Sequence, residues 1–313
     1  MSTRPGVEMP GKKVLVTGAS GFIGQYVTRE LLAMGRTVVA FDRLQTAHAM
    51  PPGVHASLGD IRDPVAVHEA MSQAESWIHL AGVLGTQETI ANPRPAIETN
   101  IVGGINILEA AAHYGLPGVN IAVGNWFEQN PYSISKGTVE RFCEMYTKFR
   151  GVSVAVVRGF NSYGPGQALS SPYGSSKVRK IVPAFVARAI NGEPIEIYGD
   201  GHQIMDTIYV ADLARILARA LLKIEGRPAE NTVYEAGTGH RTTVLDIANE
   251  VIRCVGRGSI NHLPMRPGET PGAVVLANPA TLGELGVDPR DLTGLPAGIE
   301  RTVAYYRQVF RDQ

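Results

Sequence analysis

The stretch Lys13-Val14-Leu15-Val16-Thr17-Gly18-Ala19-Ser20-Gly21-Phe22-Ile23-Gly24 decides how this chain of 313 residues is read. Its first five residues are an apolar, β-branched run of strand length, and the glycines lead into a helical pattern that continues to Met34. Strand, glycine-rich turn and helix in this order form the opening unit of a dinucleotide-binding fold. The glycines let the backbone turn sharply and approach a pyrophosphate, whose charge meets the amides at the helix N-terminus. Their spacing, Gly-x-x-Gly-x-x-Gly, is one residue away from the commonest dinucleotide pattern, so the turn alone also fits an ordinary βα connection.

The next strand weighs against the ordinary connection. Thr37 to Phe41 is a second apolar run and ends in Asp42, a carboxylate about twenty residues beyond the glycines. This fold uses a carboxylate there to accept hydrogen bonds from the adenosine ribose hydroxyls. The same charge repels a 2′-phosphate, which favours NAD over NADP, and Arg43 beside it keeps the phosphorylated cofactor open.

Further outward, Val54 to Leu58 reads as a third strand, followed by Asp60-Ile61-Arg62-Asp63-Pro64 and a helix from Val65 to Met71. Asp60 stands at a strand end, placed either to bond the adenine amino group or simply to close the turn. Trp77 to Leu80 is a fourth strand opening into Ala81-Gly82-Val83, small residues that let the backbone lie against a cofactor. The pattern predicts a helix over Ala96 to His113, in which Asn100 and Asn106 are expected to satisfy neighbouring backbone. Gly115 to Gly118 ends that helix. Val119 to Val123, Val152 to Phe160 and Val233 to Ala236 supply three more strands. Alternating strands and helices imply right-handed crossovers, hence an α/β fold with a doubly wound (Rossmann) parallel sheet of about seven strands.

Between the fifth strand and the next helix lies Gly124-Asn125-Trp126-Phe127-Glu128-Gln129, and the helix then opens Asn130-Pro131-Tyr132-Ser133-Ile134-Ser135-Lys136. Asn130 is a good N-cap, and Pro131 fits the first turn, where a missing amide costs nothing. Tyr132 and Lys136 are four residues apart, so they share one helical face. An ammonium near a phenol stabilises the phenolate and would make Tyr132 a base near neutral pH; a surface pair is the plainer alternative. Ligands of doubly wound sheets gather beyond the carboxyl ends of the strands, so the bridge 124–129 should face the crevice.

After Phe160 the pattern changes. A polar loop runs from Gln167 to Arg179, followed by a helix at Ile181 to Ile190, strands at Ile195 to Tyr198 and Thr207 to Val210, and helices at Asp212 to Leu222 and Thr243 to Val255. These predict a smaller α/β substrate lobe interleaved with the first domain. The division expected is 1–166 with 205–240 for the dinucleotide-binding domain, and 167–204 with 241–313 for the lobe.

Composition limits the partners. The 29 basic and 29 acidic side chains cancel, so no global field recruits nucleic acid or an anionic membrane. No apolar run approaches the ~20 residues that cross a bilayer, and Met1 to Lys12 carries Pro and Gly in place of a hydrophobic signal core. The two cysteines, Cys143 and Cys254, are isolated in helical segments and read as buried free thiols, in keeping with a reducing cytoplasm. No metal site is expected.

Taken together, the chain resembles the NAD-dependent nucleotide-sugar epimerases and dehydratases of the extended short-chain dehydrogenase/reductase family. The resemblance rests on VTGASGFIG (Val16 to Gly24), Asp42, GDIRD (Gly59 to Asp63), HLAG (His79 to Gly82), PYSISK (Pro131 to Lys136), RGFNSYGPGQ (Arg158 to Gln167), YGDG (Tyr198 to Gly201), IYVADLA (Ile208 to Ala214) and RPGE (Arg266 to Glu269). It implies that Gly18, Gly21 and Gly24, with Phe22 and Ile23 on the same turn, cradle the NAD pyrophosphate. By the same resemblance Asp42 binds the adenosine ribose, Asp60 and Ile61 flank the adenine, and Ala81 and Gly82 line the cofactor. Tyr132 is then the catalytic base, and Lys136 holds the nicotinamide ribose and lowers the Tyr132 pKa. Asn161 and Arg266 look like contacts to a nucleotide diphosphate, and the family association is a homodimer through a four-helix bundle.

Three departures from the family stand out. Relatives place Ser or Thr at the end of the fifth strand, roughly two dozen residues before the tyrosine; here Asn125 takes that place only seven positions before Tyr132. An amide donates a hydrogen bond but does not relay a proton, so Asn125 is expected to orient substrate. The dehydratases follow that position with Asp-Glu, where this chain has Trp126 and Phe127, and Glu128 comes one residue late. Glu128 is either an acid/base that reaches inward or a solvated loop residue. Relatives also carry Arg at the position of Met205, and Lys177, Arg179 or Lys180 either compensates for it or forms a solvated basic cluster. The leading expectation is C4 epimerisation; a dehydratase using Glu128 comes next, and a dinucleotide sensor without chemistry is the rival from another class.

Overall fold

Strand β1 (Lys13–Thr17) lies inside a seven-stranded, wholly parallel sheet in the computed structural model, which describes residues 12–44 and 51–312. The expectation for Met1 to Lys12 falls outside those residues except at Lys12. Beside β1 run β2 (Thr37–Asp42) and β3 (Val54–Leu58) on one flank, and β4 (Ser76–His79), β5 (Gly118–Val123), β6 (Val154–Gly159) and β9 (Asn231–Ala236) on the other. The order β3-β2-β1-β4-β5-β6-β9 reverses direction between β1 and β4, which opens a crevice at their carboxyl ends. The expected doubly wound sheet is present, with its seven strands.

Both faces are apolar because alternate residues of each strand are buried on opposite sides. Val14 and Val16 pack with Val27 and Leu31 of α1 (Phe22–Ala33) and with Leu213, Leu217 and Leu221 of α8 (Val210–Ile224). Leu15 faces the other way, towards Val67 and Met71 of α2 (Pro64–Met71), Ile107 and Ala111 of α5 (Gly103–Tyr114), and Val139 and Cys143 of α6 (Pro131–Arg150). Each fully buried branched side chain contributes about 1.5–3 kcal/mol of transfer free energy, which is what holds the strand ends in register beneath the crevice.

Two expected elements differ. The helix predicted at Ala96 to His113 is a composite: α3 (Thr86–Ala91) and the short α4 (Arg94–Ala96) precede a π-helical stretch, Ile97–Val102, and only then α5 begins. The wider π-turn changes the phase of the helix, and Asn100 within it is buried. The strand predicted at Thr207 to Val210 is absent. Its β-branched run lies extended beside the loop after β6, held by Tyr163 N–H to Ile208 O and Val210 N–H to Tyr163 O, and α8 starts at Val210. The strand nearby is the two-residue β8 (Ile204–Met205), paired with β11 (Val274–Val275).

A separate apolar cluster forms where α7 (Ile181–Ile190), β7 (Ile195–Tyr198), α9 (Val244–Val255) and α10 (Leu295–Arg311) meet, through Val186, Ile195, Ile247, Val251, Ile299 and Val303. β10 (Ile260–Leu263) pairs with β7 in parallel. Cys143 is a buried free thiol as expected, whereas Cys254 is half-buried because it sits at the rim of α9 beside Glu250 and Arg253. No helix among the described residues is long and apolar enough to cross a membrane.

Candidate active site

The glycine turn presents bare backbone to the crevice. Gly21 caps α1 with no side-chain hydrogen bond, leaving the first-turn amides directed outward. A Cβ on Gly24 would stand 2.2 Å from the Gly18 carbonyl oxygen, so only glycine lets α1 come this close to the turn. Asp42 closes the far side: its Oδ2 accepts from the Ser20 amide at 3.0 Å and its Oδ1 from the Arg43 amide at 2.7 Å. Helix amides, a backbone surface without Cβ atoms and a carboxylate at the end of β2 together fit a dinucleotide. Asp60 stands just beyond the end of β3. Its carboxylate is forked onto Arg62, with Nη2 at 2.7 Å, and that pairing holds its pKa below the usual range. Ile61 is buried, and its carbonyl accepts from Asn106 at 2.9 Å.

The floor of the crevice is a hydrogen-bonded chain. Thr17 Oγ1 accepts from the amides of Leu80 and Ala81 at 3.2 and 3.3 Å, so its own proton is directed to His79 Nδ1 at 2.6 Å. Burial, aided by the nearby Lys136 charge, pushes His79 down to about 3, so it is a neutral imidazole with its proton on Nε2. Asn100 grips Val83 from both sides, accepting from its N–H at 2.7 Å and donating to its carbonyl at 3.1 Å. The same amide donates to Ser135 Oγ at 2.9 Å, and Ser135 donates to the Tyr132 carbonyl at 2.8 Å. Asn100 therefore satisfies backbone, as expected, but the backbone of the Ala81-Gly82-Val83 turn and, through Ser135, of α6. A Cβ on Gly82 would lie 2.9 Å from Asn100 Oδ1, too close for Asn100 to keep its grip unmoved, and Lys136 Nζ would stand in ordinary contact at 4.0 Å.

Tyr132 and Lys136 follow from the helix start. Asn130 caps α6 by accepting from the Ser133 amide at 3.0 Å, and Pro131 takes the first turn. The pair points to one face, as the spacing predicts, and the environment shifts both groups towards neutrality. Tyr132 keeps part of its surface in the crevice while dense protein surrounds its hydroxyl, and this desolvation raises the phenol from 10.0 to about 12. Lys136 is buried, and its ammonium falls from 10.5 to about 8. The expected lowering of the Tyr132 pKa by Lys136 is thus outweighed by burial in the protein alone.

The bridge from β5 to α6 organises itself around Glu128. Its Oε2 accepts from Asn125 Nδ2 at 2.7 Å and from Asn130 Nδ2 at 3.0 Å. The Asn125 amide is therefore engaged with Glu128, whereas the sequence suggested that it orients substrate. Burial raises the Glu128 pKa, the two amides oppose this, and the charge of Glu269 adds to the rise. Glu128 is half-buried and senses the Arg266-Pro267-Gly268-Glu269 turn, so it is not a solvated loop residue. Trp126 and Phe127 remain about half exposed, at 48% and 51%. The Trp126 ring lies on the Arg158 guanidinium, 4.8 Å from its centroid, and Arg158 is itself held by Glu140 and Glu235.

On the other wall, Asn161 sits at φ 35° and donates to the Asp206 carbonyl at 2.9 Å. Arg266 pairs with Glu269 and stacks over the Tyr198 ring at 4.4 Å. Arg179 lies against the same ring at 5.5 Å, Lys180 is partly buried with its ammonium pKa depressed by desolvation, and Lys177 is exposed. Gln87 of α3 ties this wall to the first by donating to the Pro267 carbonyl at 2.6 Å. The sequence reading gave no role to Thr17, His79, Ser135, Tyr198 or Glu269. All five lie inside the quoted motifs, where the residue types alone assign them no contact.

This geometry has close counterparts. The profile of the NAD dependent epimerase/dehydratase family matches residues 14–237. A dTDP-glucose 4,6-dehydratase of Streptomyces antibioticus is 30% identical, with 94% of this chain and 92% of the relative aligned. A putative UDP-glucose 4-epimerase of Methanocaldococcus jannaschii is 28% identical over 82% of this chain and 87% of its own. Among solved structures, the UDP-glucose 4-epimerase of Thermus thermophilus in complex with NAD superposes with a TM-score of 0.81 at 28% identity, covering 94% of this chain and 99% of that one. The UDP-glucose 4-epimerase of Thermotoga maritima with UDP-glucose gives 0.83 at 27% identity, covering 95% and 99%. The chain belongs to the NAD dependent epimerase/dehydratase family, and NAD is its cofactor.

Proposed function

We propose that this protein is a nucleotide-sugar epimerase that oxidises its sugar at C4 to a transient ketone and returns the hydrogen to the opposite face. Gly18, Gly21, Phe22, Ile23 and Gly24 would hold the NAD pyrophosphate, Asp42 the adenosine ribose, Ile61 and Asp60 the adenine edge, and Ala81, Gly82 and Lys136 the nicotinamide end. Bound NAD supplies a hydride acceptor that becomes the donor for the return step. Tyr132 takes the proton of the C4 hydroxyl at its phenolate oxygen and gives it back when the alcohol re-forms. Lys136 still carries its charge below about pH 8, and so offers the phenolate a cation on the same helical face. Asn125 holds Glu128 in position; Asn161 and Arg266 contact the nucleotide diphosphate.

One observation carries epimerisation over dehydration. Removing water from a sugar needs a second acid and base beside the ketone, and Glu128 is the one acidic residue between Gly124 and Asn130. The two residues before it are aromatic, and Trp126 is turned onto Arg158. Dehydration stays as a second reading because the raised pKa of Glu128 suits a proton donor, and because a dehydratase is among the relatives.

The test is to incubate the purified protein with UDP-, dTDP- and GDP-sugars in deuterated water and follow products by NMR. A C4 epimer without solvent deuterium supports the proposal. Deuterium at C5 or C6 with loss of water supports dehydration, and no turnover of any sugar with unchanged NAD affinity in Tyr132→Phe supports a sensor. Pairing of two chains through α5 and α6 belongs to the same reading. Ile134 and Phe149 of α6, with Ile97 and Val102 of the π-helical stretch that leads into α5, leave apolar surface exposed, and light scattering on the eluted protein should give twice the chain mass.

A further inference from the structure

Glu128 differs from the acids around it in having no cation partner among the described residues. Glu140 and Glu235 are paired with Arg158, and Glu269 with Arg266. Glu128 is held by neutral groups instead, and both serve one oxygen: Oε2 accepts from Asn125 at 2.7 Å and from Asn130 at 3.0 Å. Its Oε1 has no donor among the described residues and is not enclosed. The frame around it is fixed, because Asn130 also accepts from the Ser133 amide at 3.0 Å and so ties Glu128 to the residue that starts α6, two positions before Tyr132. From the facing turn Glu128 senses the charge of Glu269. It therefore stands between Tyr132 and the Arg266 to Glu269 turn, the span that the sugar of a nucleotide sugar crosses in the proposed reaction. A carboxylate oriented by amides but not neutralised keeps its charge for whatever lies against it. A hydroxyl donates to such an oxygen strongly, whereas a second carboxylate is repelled.

We propose that Glu128 sets the sugar specificity: its free oxygen accepts a hydrogen bond from a sugar hydroxyl and its charge excludes sugars that carry a carboxylate, so the substrate is a neutral sugar and not a uronic acid. This rests on the nucleotide-sugar reading above. Discrimination of this kind comes from the repulsive element as much as from the attractive one. Asn125 and Asn130 hold the carboxylate in place before the sugar arrives, so it does not have to be ordered on binding.

The experiment measures binding to the full-length NAD-loaded protein by calorimetry, using pairs that differ by a carboxylate: UDP-glucose and UDP-glucuronic acid, dTDP-glucose and dTDP-glucuronic acid, GDP-mannose and GDP-mannuronic acid. Wild type should bind the neutral member of its preferred pair about tenfold or more tightly than the acidic one. In Glu128→Gln, which removes the charge and turns a donor outward, the neutral sugar should bind more weakly and the uronic acid more tightly than in wild type. Glu128→Ala, which removes the charge and adds no donor, should narrow the ratio in the same direction. A general disturbance of the bridge would weaken both ligands, so their opposite movement separates selection from a structural role. Thermal unfolding identifies a variant that has not folded, in which case the other decides. Equal binding of both members by wild type, an unchanged ratio in a folded variant, or a matching loss for both sugars overturns the role of Glu128 and leaves the nucleotide-sugar reading standing. Failure of wild type to bind any of the six overturns both.

Discussion

Around Gly18 to Gly24 the surface of the crevice is backbone, whereas from Asn125 to Glu128 and around Tyr198 it is made of side chains. The first wall is determined by steric exclusion: the approach of Gly24 to the Gly18 carbonyl tolerates no Cβ, and Gly82 fits against Asn100 for the same reason. The second is determined by satisfied and unsatisfied charge, with Glu128 between two amides and two guanidiniums on one phenol ring. A backbone wall has few workable sequences and suits a ligand that does not change. A side-chain wall is altered by single substitutions, which is why a particular reaction and substrate are decided there.

The largest effect should come where the two walls meet. Tyr132→Phe removes the proton acceptor and should lower kcat by about 100- to 10,000-fold with NAD affinity retained, as read by steady-state turnover and cofactor titration. Lys136→Met should do the opposite to stability. The folded value of about 8 lies below the ordinary 10.5, so the buried ammonium destabilises the fold at every pH below about 8, and the penalty fades as pH rises towards 10.5. The variant without NAD should therefore be more stable than wild type at pH 7, by at most about 3 kcal/mol. The gain should vanish in unfolding curves near pH 10.5. A gain that persisted there would mean that packing, not charge, is responsible.

Gly24→Ala tests the backbone wall and should destabilise by about 1–3 kcal/mol, with loss of co-purifying NAD; an unaffected cofactor content would contradict steric exclusion as its principle. On the side-chain wall, Glu128→Gln should leave C4 epimer formation within about tenfold of wild type, since the proton at C4 belongs to Tyr132. Loss of all product would instead make Glu128 an obligatory acid. The smallest effect is expected for Trp126→Ala, about 0.5–1 kcal/mol of stability from the cation–π contact with Arg158, measured by denaturant unfolding.

The same contrast explains what was legible in the sequence. The Lys13 to Gly24 stretch gave the first strand, turn and helix correctly because apolar period and glycine spacing are local signals, and Asn130-Pro131 marked the start of α6 equally well. Thr207 to Val210 misled because a β-branched run also suits an extended segment beside a loop. The engagement of Asn125 with Glu128, and of Asp60 with Arg62, depends on where loop side chains turn, and spacing carries no such information. The rise of the Tyr132 pKa was hidden for a related reason: charge at helical spacing is visible in a sequence, but burial is a property of the assembled crevice.

In the proposed reaction the hydrogen leaves C4 of the sugar and returns to C4. Offering the accepted nucleotide sugar with deuterium at C4 and locating the label by NMR tests it directly. The expected product is a C4 epimer that keeps the deuterium at C4; label found at C6 of a keto sugar that has lost water would contradict epimerisation.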